Sequence, residues 1–194
     1  MTAEGLLERY AAGERDFSGI TLIRANFILA DLRGINLSNA KLNGIKLIAA
    51  NLDGANLSGA RLEGADLTSA NLSRADLTGA NLDGCQLVRT NFRDANLSEA
   101  GFWNACIDGA LFYGANLQRA KLVELYSCLG ANFIRADLRD CRIEGTSGSR
   151  AFESANLLGA TEFVPTKTDI FCKTIMPDGS IRNDGCWPDV AELS

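Results

Sequence analysis

The sequence predicts an all-β solenoid of stacked short coils, and three observations predict it. From Phe17 to Leu122 every fifth residue, 22 in succession, is Leu, Phe or Ile. Two residues before each of them lies a second column, Ala at 16 of the 22 places and otherwise Arg15, Ile20, Ile35, Ile45, Cys85 and Thr90. Gly recurs two residues after the large residue, as at Gly54, Gly59, Gly64, Gly79 and Gly84. A helix face needs apolar residues at spacings of three and four, and a strand needs strict alternation, so an unbroken period of five fits neither. The chain must turn in every repeat. One large and one small inward side chain per repeat, with polar residues outside, let stacked turns of chain build a continuous apolar column. Gly at the corners accommodates positive φ.

The first element precedes the repeats. Residues 3 to 12 set Leu6, Leu7 and Tyr10 on one side of a helix, with Thr2 as N-cap and Gly13 as stop. The first coil of any solenoid exposes apolar side chains and unpaired backbone groups, and a short helix is marginal alone, so residues 1–14 are expected to cap that coil.

The repeats themselves read "ANLDGANLSGARLEGADLTSANLSRADLTGANLDG" over residues 50–84. Units such as "ANLDG", "ADLTS" and "ADLTG" resemble the A(D/N)LXX consensus of the pentapeptide repeat proteins. That resemblance implies a right-handed quadrilateral parallel β-helix with four pentapeptides per coil, here over residues 15–160. At the ~4.8 Å spacing of paired strands, seven or so coils would make a rod roughly 35 Å long.

Two places break the register. From Leu122 to Phe133 is 11 residues where two repeats take 10, so "VELYSCLG" carries one extra residue and should bulge. "EGTSGSR" then interrupts the repeats before the last pair, centred on Phe152 and Leu157. After residue 160 the repeat ends, and residues 161–194 are expected to form a tail that caps the last coil. Pro177-Asp178-Gly179 is a turn signal between Ile175 and Ile181, hence a small hairpin. The "MPDGSI" of that tail and the opening "LLERYAAGERDFSGITL" are similar to the ends of cyanobacterial members of the family, the HetL-like group among them. This implies a cyanobacterial source and an interaction role.

Cys85 and Cys141 fall in the small inward column, where a thiol serves as a slightly large Ala. Cys106 falls on an outward position and Cys128 in the bulge. Cys172 and Cys186 flank the hairpin and are a candidate disulfide, a bond that would remove ~3 kcal/mol of chain entropy from the unfolded state.

Catalytic chemistry finds no footing. The 194 residues contain no His, which removes the commonest general base and every Ser-His or Cys-His pair. Neither GxGxxG nor GxxxxGK[ST] occurs, and no CxxC pair suggests a metal. We therefore expect no enzyme activity, cofactor or metal. Composition agrees with one soluble domain that neither inserts in a membrane nor binds nucleic acid directly, with a net charge of −5 and no apolar run of the ~20 residues a spanning helix needs. The first residues lack a secretory pattern, so the expected compartment is the cytoplasm, or the periplasm or thylakoid lumen if a leader has been removed.

Three non-enzymatic roles remain: a regulatory protein-binding scaffold, a DNA mimic that binds or protects DNA gyrase, and a passive spacer. Some family members resemble duplex DNA in shape and charge. The most acidic side expected here, the one centred on Leu37, Leu57, Leu77 and Leu97, sums to −3, against roughly 20 charges on a duplex of that length. Gyrase is thus the less favoured partner. A protein partner would meet Trp103, Tyr113 and Tyr126, which crowd near the bulge on different sides, or the apolar outward column Ile28, Ile48 and Val88. Exposed Trp and Tyr are enriched in binding hot spots. β-Branched residues also stack well across strand ladders without any partner. As an oligomer the chain reads as a monomer or weak dimer.

Overall fold

The computed structural model describes residues 1–146 and 148–184. One helix, α1 (Ala3–Ala11), precedes a long ladder of parallel bridges. Bridges join residues 20 apart at intervals of five, as in Asn36↔Asn56, Lys41↔Arg61, Lys46↔Asp66 and Asn51↔Asn71. Each coil is therefore four pentapeptides long, and four columns of bridges run along the stack. The longer pairings are short: β1 (Lys121–Val123) lies parallel to β3 (Arg142–Glu144), and β2 (Ala131–Asn132) parallel to β4 (Arg150–Ala151).

The repeat accounts for its own backbone hydrogen bonds. In the unit around Leu57, Asn56 N–H donates to Ile35 of the coil before at 2.9 Å, and Leu57 and Gly59 donate to Asp76 and Thr78 of the coil after at 2.6 and 2.8 Å. Ala60 N–H closes the turn on the Leu57 carbonyl at 3.0 Å. The fifth donor, Ser58 N–H, goes to Asn56 Oδ1 at 3.0 Å. This is the physical reason for Asn or Asp before each large residue: its side chain accepts the one amide that the ladder leaves over. Asn amides also bond along the stack, as from Asn91 to Asn71 at 3.0 Å and from Asn71 to Asn51 at 3.1 Å.

Both inward columns are buried without interruption from Leu32 and Ile35 through the central coils. Departures from Ala in the small column are satisfied locally. Thr90 Oγ1 donates to the Leu67 carbonyl at 2.8 Å, and Cys85 Sγ to the Leu62 carbonyl at 3.0 Å. Phe92, Phe112, Phe133, Phe152 and Phe171 stack ring on ring, 4.8–5.5 Å between centroids. Turn positions are left-handed throughout, in Gly54 at φ 66° and equally in Leu29, Ala49 and Arg74 at φ 62°, 53° and 58°.

Helix α1 is capped as its sequence suggests. Thr2 Oγ1 accepts from Gly5 N–H at 3.1 Å, and Gly13 follows the end at φ 99°. Leu6 is buried in the same core as Phe17, with Leu7 and Tyr10 packed beside it, and Tyr10 Oη donates to the Arg33 carbonyl at 2.9 Å.

The extra residue appears where expected. Gly101↔Lys121 keeps the spacing of 20, and Cys106↔Ser127 has 21. From Asn132↔Ala151 onward the spacing is 19, so the interruption before Phe152 removes the residue that the bulge adds.

One reading of the sequence is corrected. The consensus stops after residue 160, but the ladder does not: Ala151↔Ile170 and Asn156↔Ile175 continue it, and Phe171 extends the aromatic column. Cys106 is buried although its position is outward, its small thiol lying in a bridge column next to the longer Gln86. The hairpin over Pro177–Gly179 forms as β5 (Thr174–Ile175) antiparallel to β6 (Ile181–Arg182). The candidate pair Cys172–Cys186 cannot be placed, since Cys186 lies outside the described residues.

Candidate functional site

Of the outward aromatic residues, Trp103 and Tyr113 sit in regular repeats of the ladder and Tyr126 in the bulge. Trp103 is about half exposed; its backbone N–H donates to Asp83 Oδ1 at 2.8 Å and its Nε1–H to Glu124 Oε2 at 2.9 Å. The first bond fixes the Trp103 backbone and the second orients the indole on the surface. Its Asp83 bond follows from the repeat logic: Gly101 stands where Asn or Asp would accept the Trp103 amide, and the coil before supplies the acceptor instead.

Beside the indole is a groove of about 360 Å³ lined by Asn81, Asp83, Glu99, Gly101, Lys121 and Val123 among others. Gly101 is the only residue of its bridge column, Thr21 through Thr161, that lacks a side chain. Its backbone is not left-handed, unlike that of the corner glycines, so the turn does not demand Gly there.

Tyr113 is half-buried, with Arg93 and Arg135 over its ring at 4.6 and 5.3 Å. The two guanidiniums occupy the ring that a partner would otherwise use. Tyr126 is 76% exposed in the bulge. Trp103 and Tyr113 lie two residues after Gly101 and Leu111, and Tyr126 one residue before Ser127, in three different bridge columns, so the ladder does not bring them together. In the apolar column Ile28 is exposed, while Ile48 and Val88 are half-buried.

Four of the cysteines are chemically quiet. Burial pushes the Cys85 and Cys141 thiols up to about 12, and raises Cys106 and Cys128 as well. Among the described residues no group of His, Cys, Asp or Glu has the arrangement to hold a metal ion, and no helix is long and apolar enough to cross a membrane. On the acidic side two carboxylates are ion-paired: Arg139 meets Asp137 at 2.7 Å and Arg119 meets Glu99 at 3.6 Å.

Sequence reasoning missed a buried ion pair. Arg150 occupies the small inward position two residues before Phe152, and Asp169 lies one coil further on, with side chains 2% and 0% exposed and 2.6 Å apart. Arg150 also donates to Thr146 Oγ1 at 2.7 Å and to the Val164 carbonyl at 3.3 Å, and Asp169 accepts from Thr166 N–H at 2.8 Å. Counting back two from Phe152 would have found it, but "EGTSGSR" hides the column. A second groove of about 420 Å³ lies over the hairpin, between Phe163, Pro165, Met176, Pro177 and Ile181.

Comparison with known proteins agrees with this architecture. The profile described as Pentapeptide repeats matches eight copies over residues 15–44, 45–84 and 75–112. No curated protein matches. Among solved structures, HetL, a pentapeptide repeat protein involved in heterocyst differentiation regulation from Nostoc sp. strain PCC 7120, is 30% identical over 94% of this chain and 100% of its own, with a TM-score of 0.37. A pentapeptide repeat protein from the thylakoid lumen of Arabidopsis thaliana is 30% identical over 55% of this chain and 68% of its own, TM-score 0.35. QnrB1, a plasmid-mediated fluoroquinolone resistance protein, is 18% identical over 93% of this chain and 90% of its own, TM-score 0.48.

Proposed function

Because the chain belongs to the pentapeptide repeat family, whose members form right-handed β-helices and are generally non-catalytic interaction proteins, we propose that it is a non-enzymatic scaffold that regulates a protein partner in a cyanobacterial cytoplasm. Its coils make a four-sided rod, with α1 closing one end and residues 161–184 the other. The observation that carries this reading is Trp103. An indole oriented by one hydrogen bond to Glu124, on a backbone pinned by another to Asp83 and beside a groove that no backbone rule requires, is a preorganised contact that costs little entropy to bind.

The experiment is affinity capture from the source cells with the wild-type chain and Trp103→Ala as baits. The reading expects a partner held by the first and lost or weakened by the second. Capture of the same proteins by both baits, or of none by either, counts against it. DNA mimicry is the weaker reading, since the most acidic side sums to only −3 against roughly 20 charges on a duplex of that length. A gyrase supercoiling assay without effect at micromolar protein removes it.

A further inference from the structure

The notch over Gly101 has its own chemistry. Its floor is the ladder itself, and Asp83 leans into it: a Cβ added at Gly101 would meet Asp83 Oδ1 at 3.3 Å. Trp103 and Glu99 both line it. Glu124 holds the indole from the coil after. Two carboxylates, Asp83 and Glu99, thus line the groove with Trp103, a third, Glu124, accepts from its indole, and Lys121 is the one cation among the lining residues. Arg119 meets Glu99 at 3.6 Å, but both side chains are more than half exposed, so that pair is loose and exchangeable. An aromatic π face beside carboxylates is complementary to a cation on an apolar stem.

We infer that the notch over Gly101 receives a cationic side chain, arginine or lysine, presented by a segment of the partner protein. The stem lies on the indole of Trp103 and the charged head meets Asp83 and Glu99. The inference deepens the scaffold reading: it rests on that reading for the partner, and on the groove's chemistry for what enters it.

The probe is a set of short, otherwise neutral peptides differing only in a central Arg, Lys, Gln or Leu, titrated at millimolar concentration against the full chain. The readout is the Trp103 indole N–H resonance, assigned by its loss in Trp103→Phe. The Arg or Lys peptide should give a saturable shift that weakens as salt rises, and the Gln and Leu peptides should bind at least about tenfold more weakly. Gly101→Gln fills the notch with a neutral side chain at an ordinary backbone position, and should abolish the shift. Asp83→Asn keeps an acceptor for the Trp103 amide but removes the charge, and should weaken binding and flatten its salt dependence.

An absent shift with the Arg and Lys peptides, equal binding of the Gln peptide, or unchanged binding in both variants would overturn the inference. Its fate is separable from the scaffold reading. A partner captured equally by wild type and Gly101→Gln sinks the notch and leaves the scaffold standing, whereas peptide binding without any captured partner does the reverse.

Discussion

At the scale of single residues, the corner position shows what the repeat demands and what it merely tolerates. Every corner is left-handed, yet many hold a residue with a Cβ, including Ala49 at φ 53° and Leu29 at φ 62°. A left-handed non-Gly residue costs ~1–2 kcal/mol. Ala49 is exposed, and Gly54, one corner later, has open space where a Cβ would be added. Ala49→Gly should therefore stabilise the chain by ~1 kcal/mol and Gly54→Ala destabilise it by a similar amount, in opposite directions by chemical denaturation. Shifts of the same sign would show that something other than φ governs the corners. The inward columns were legible because their period survives substitution. Corner geometry was only half legible, since Arg24, Ser69 or Glu99 at a corner says nothing of positive φ. The small column allows a further test. Ala65 is fully buried and Glu63 is not, so Ala65→Leu should cost ~1–3 kcal/mol or more through overpacking while Glu63→Leu changes little. Comparable melting temperatures for the two would refute the inward assignment.

At the scale of elements, the informative places are those where the consensus lapses. The bulge was legible from arithmetic, because one added residue must displace every later bridge. The continuation past residue 160 was not, because Arg150, Asp169 and Thr174 replace Ala at inward positions and no pattern of apolar residues marks them. Arg150 and Asp169 hold the register there instead, and the pair joins β4 to the loop that leads into β5. Removing one member strands a buried charge, so Arg150→Leu should cost ~3–5 kcal/mol. Arg150→Leu with Asp169→Leu should recover much of that loss, since two apolar residues leave nothing unpaired. A double variant as unstable as the sum of its single variants would mean that the pair contributes more than mutual neutralisation. Thr90 offers the opposite case. Its hydroxyl donates to the Leu67 carbonyl, which also accepts from Ala70 N–H at 2.9 Å. Thr90→Val leaves that carbonyl bonded and should change stability by less than ~1 kcal/mol.

At the scale of the whole molecule, the charge pattern and the two ends decide behaviour. Asp16 and Asp178 accept hydrogen bonds from Ser18 and Ser180, and Asp31 and Asp53 from Arg33 and Arg74, which holds all four carboxyls below their ordinary range. A depressed folded pKa contributes stability above the unfolded value, ~3.9, and loses it as pH falls through the folded value. With no histidine in the chain, melting temperature should be level from about pH 5 to 8 and fall only below about pH 4. A pronounced slope near pH 6.5 would contradict this. The ends pose the larger question, because a stack of coils has no natural stop. Past Leu157 Phe171 stacks on Phe152 at 5.5 Å, and Asn156↔Ile175 is the last parallel bridge among the described residues. Ending the chain at Gly159 removes both. It uncovers Phe152, Leu157 and a row of unpaired amides and carbonyls, and deprives Arg150 of Asp169. The truncated chain should melt lower and grow in mass with concentration by light scattering, as open ends join. Arg150→Met in the truncated chain separates the two effects. It relieves the stranded charge and should restore part of the melting temperature, while the open end still drives association. If Arg150→Met abolishes association, the buried charge and not the uncovered coil is its cause. If the truncated chain stays monomeric and melts like the intact one, residues 161–184 do not close the stack.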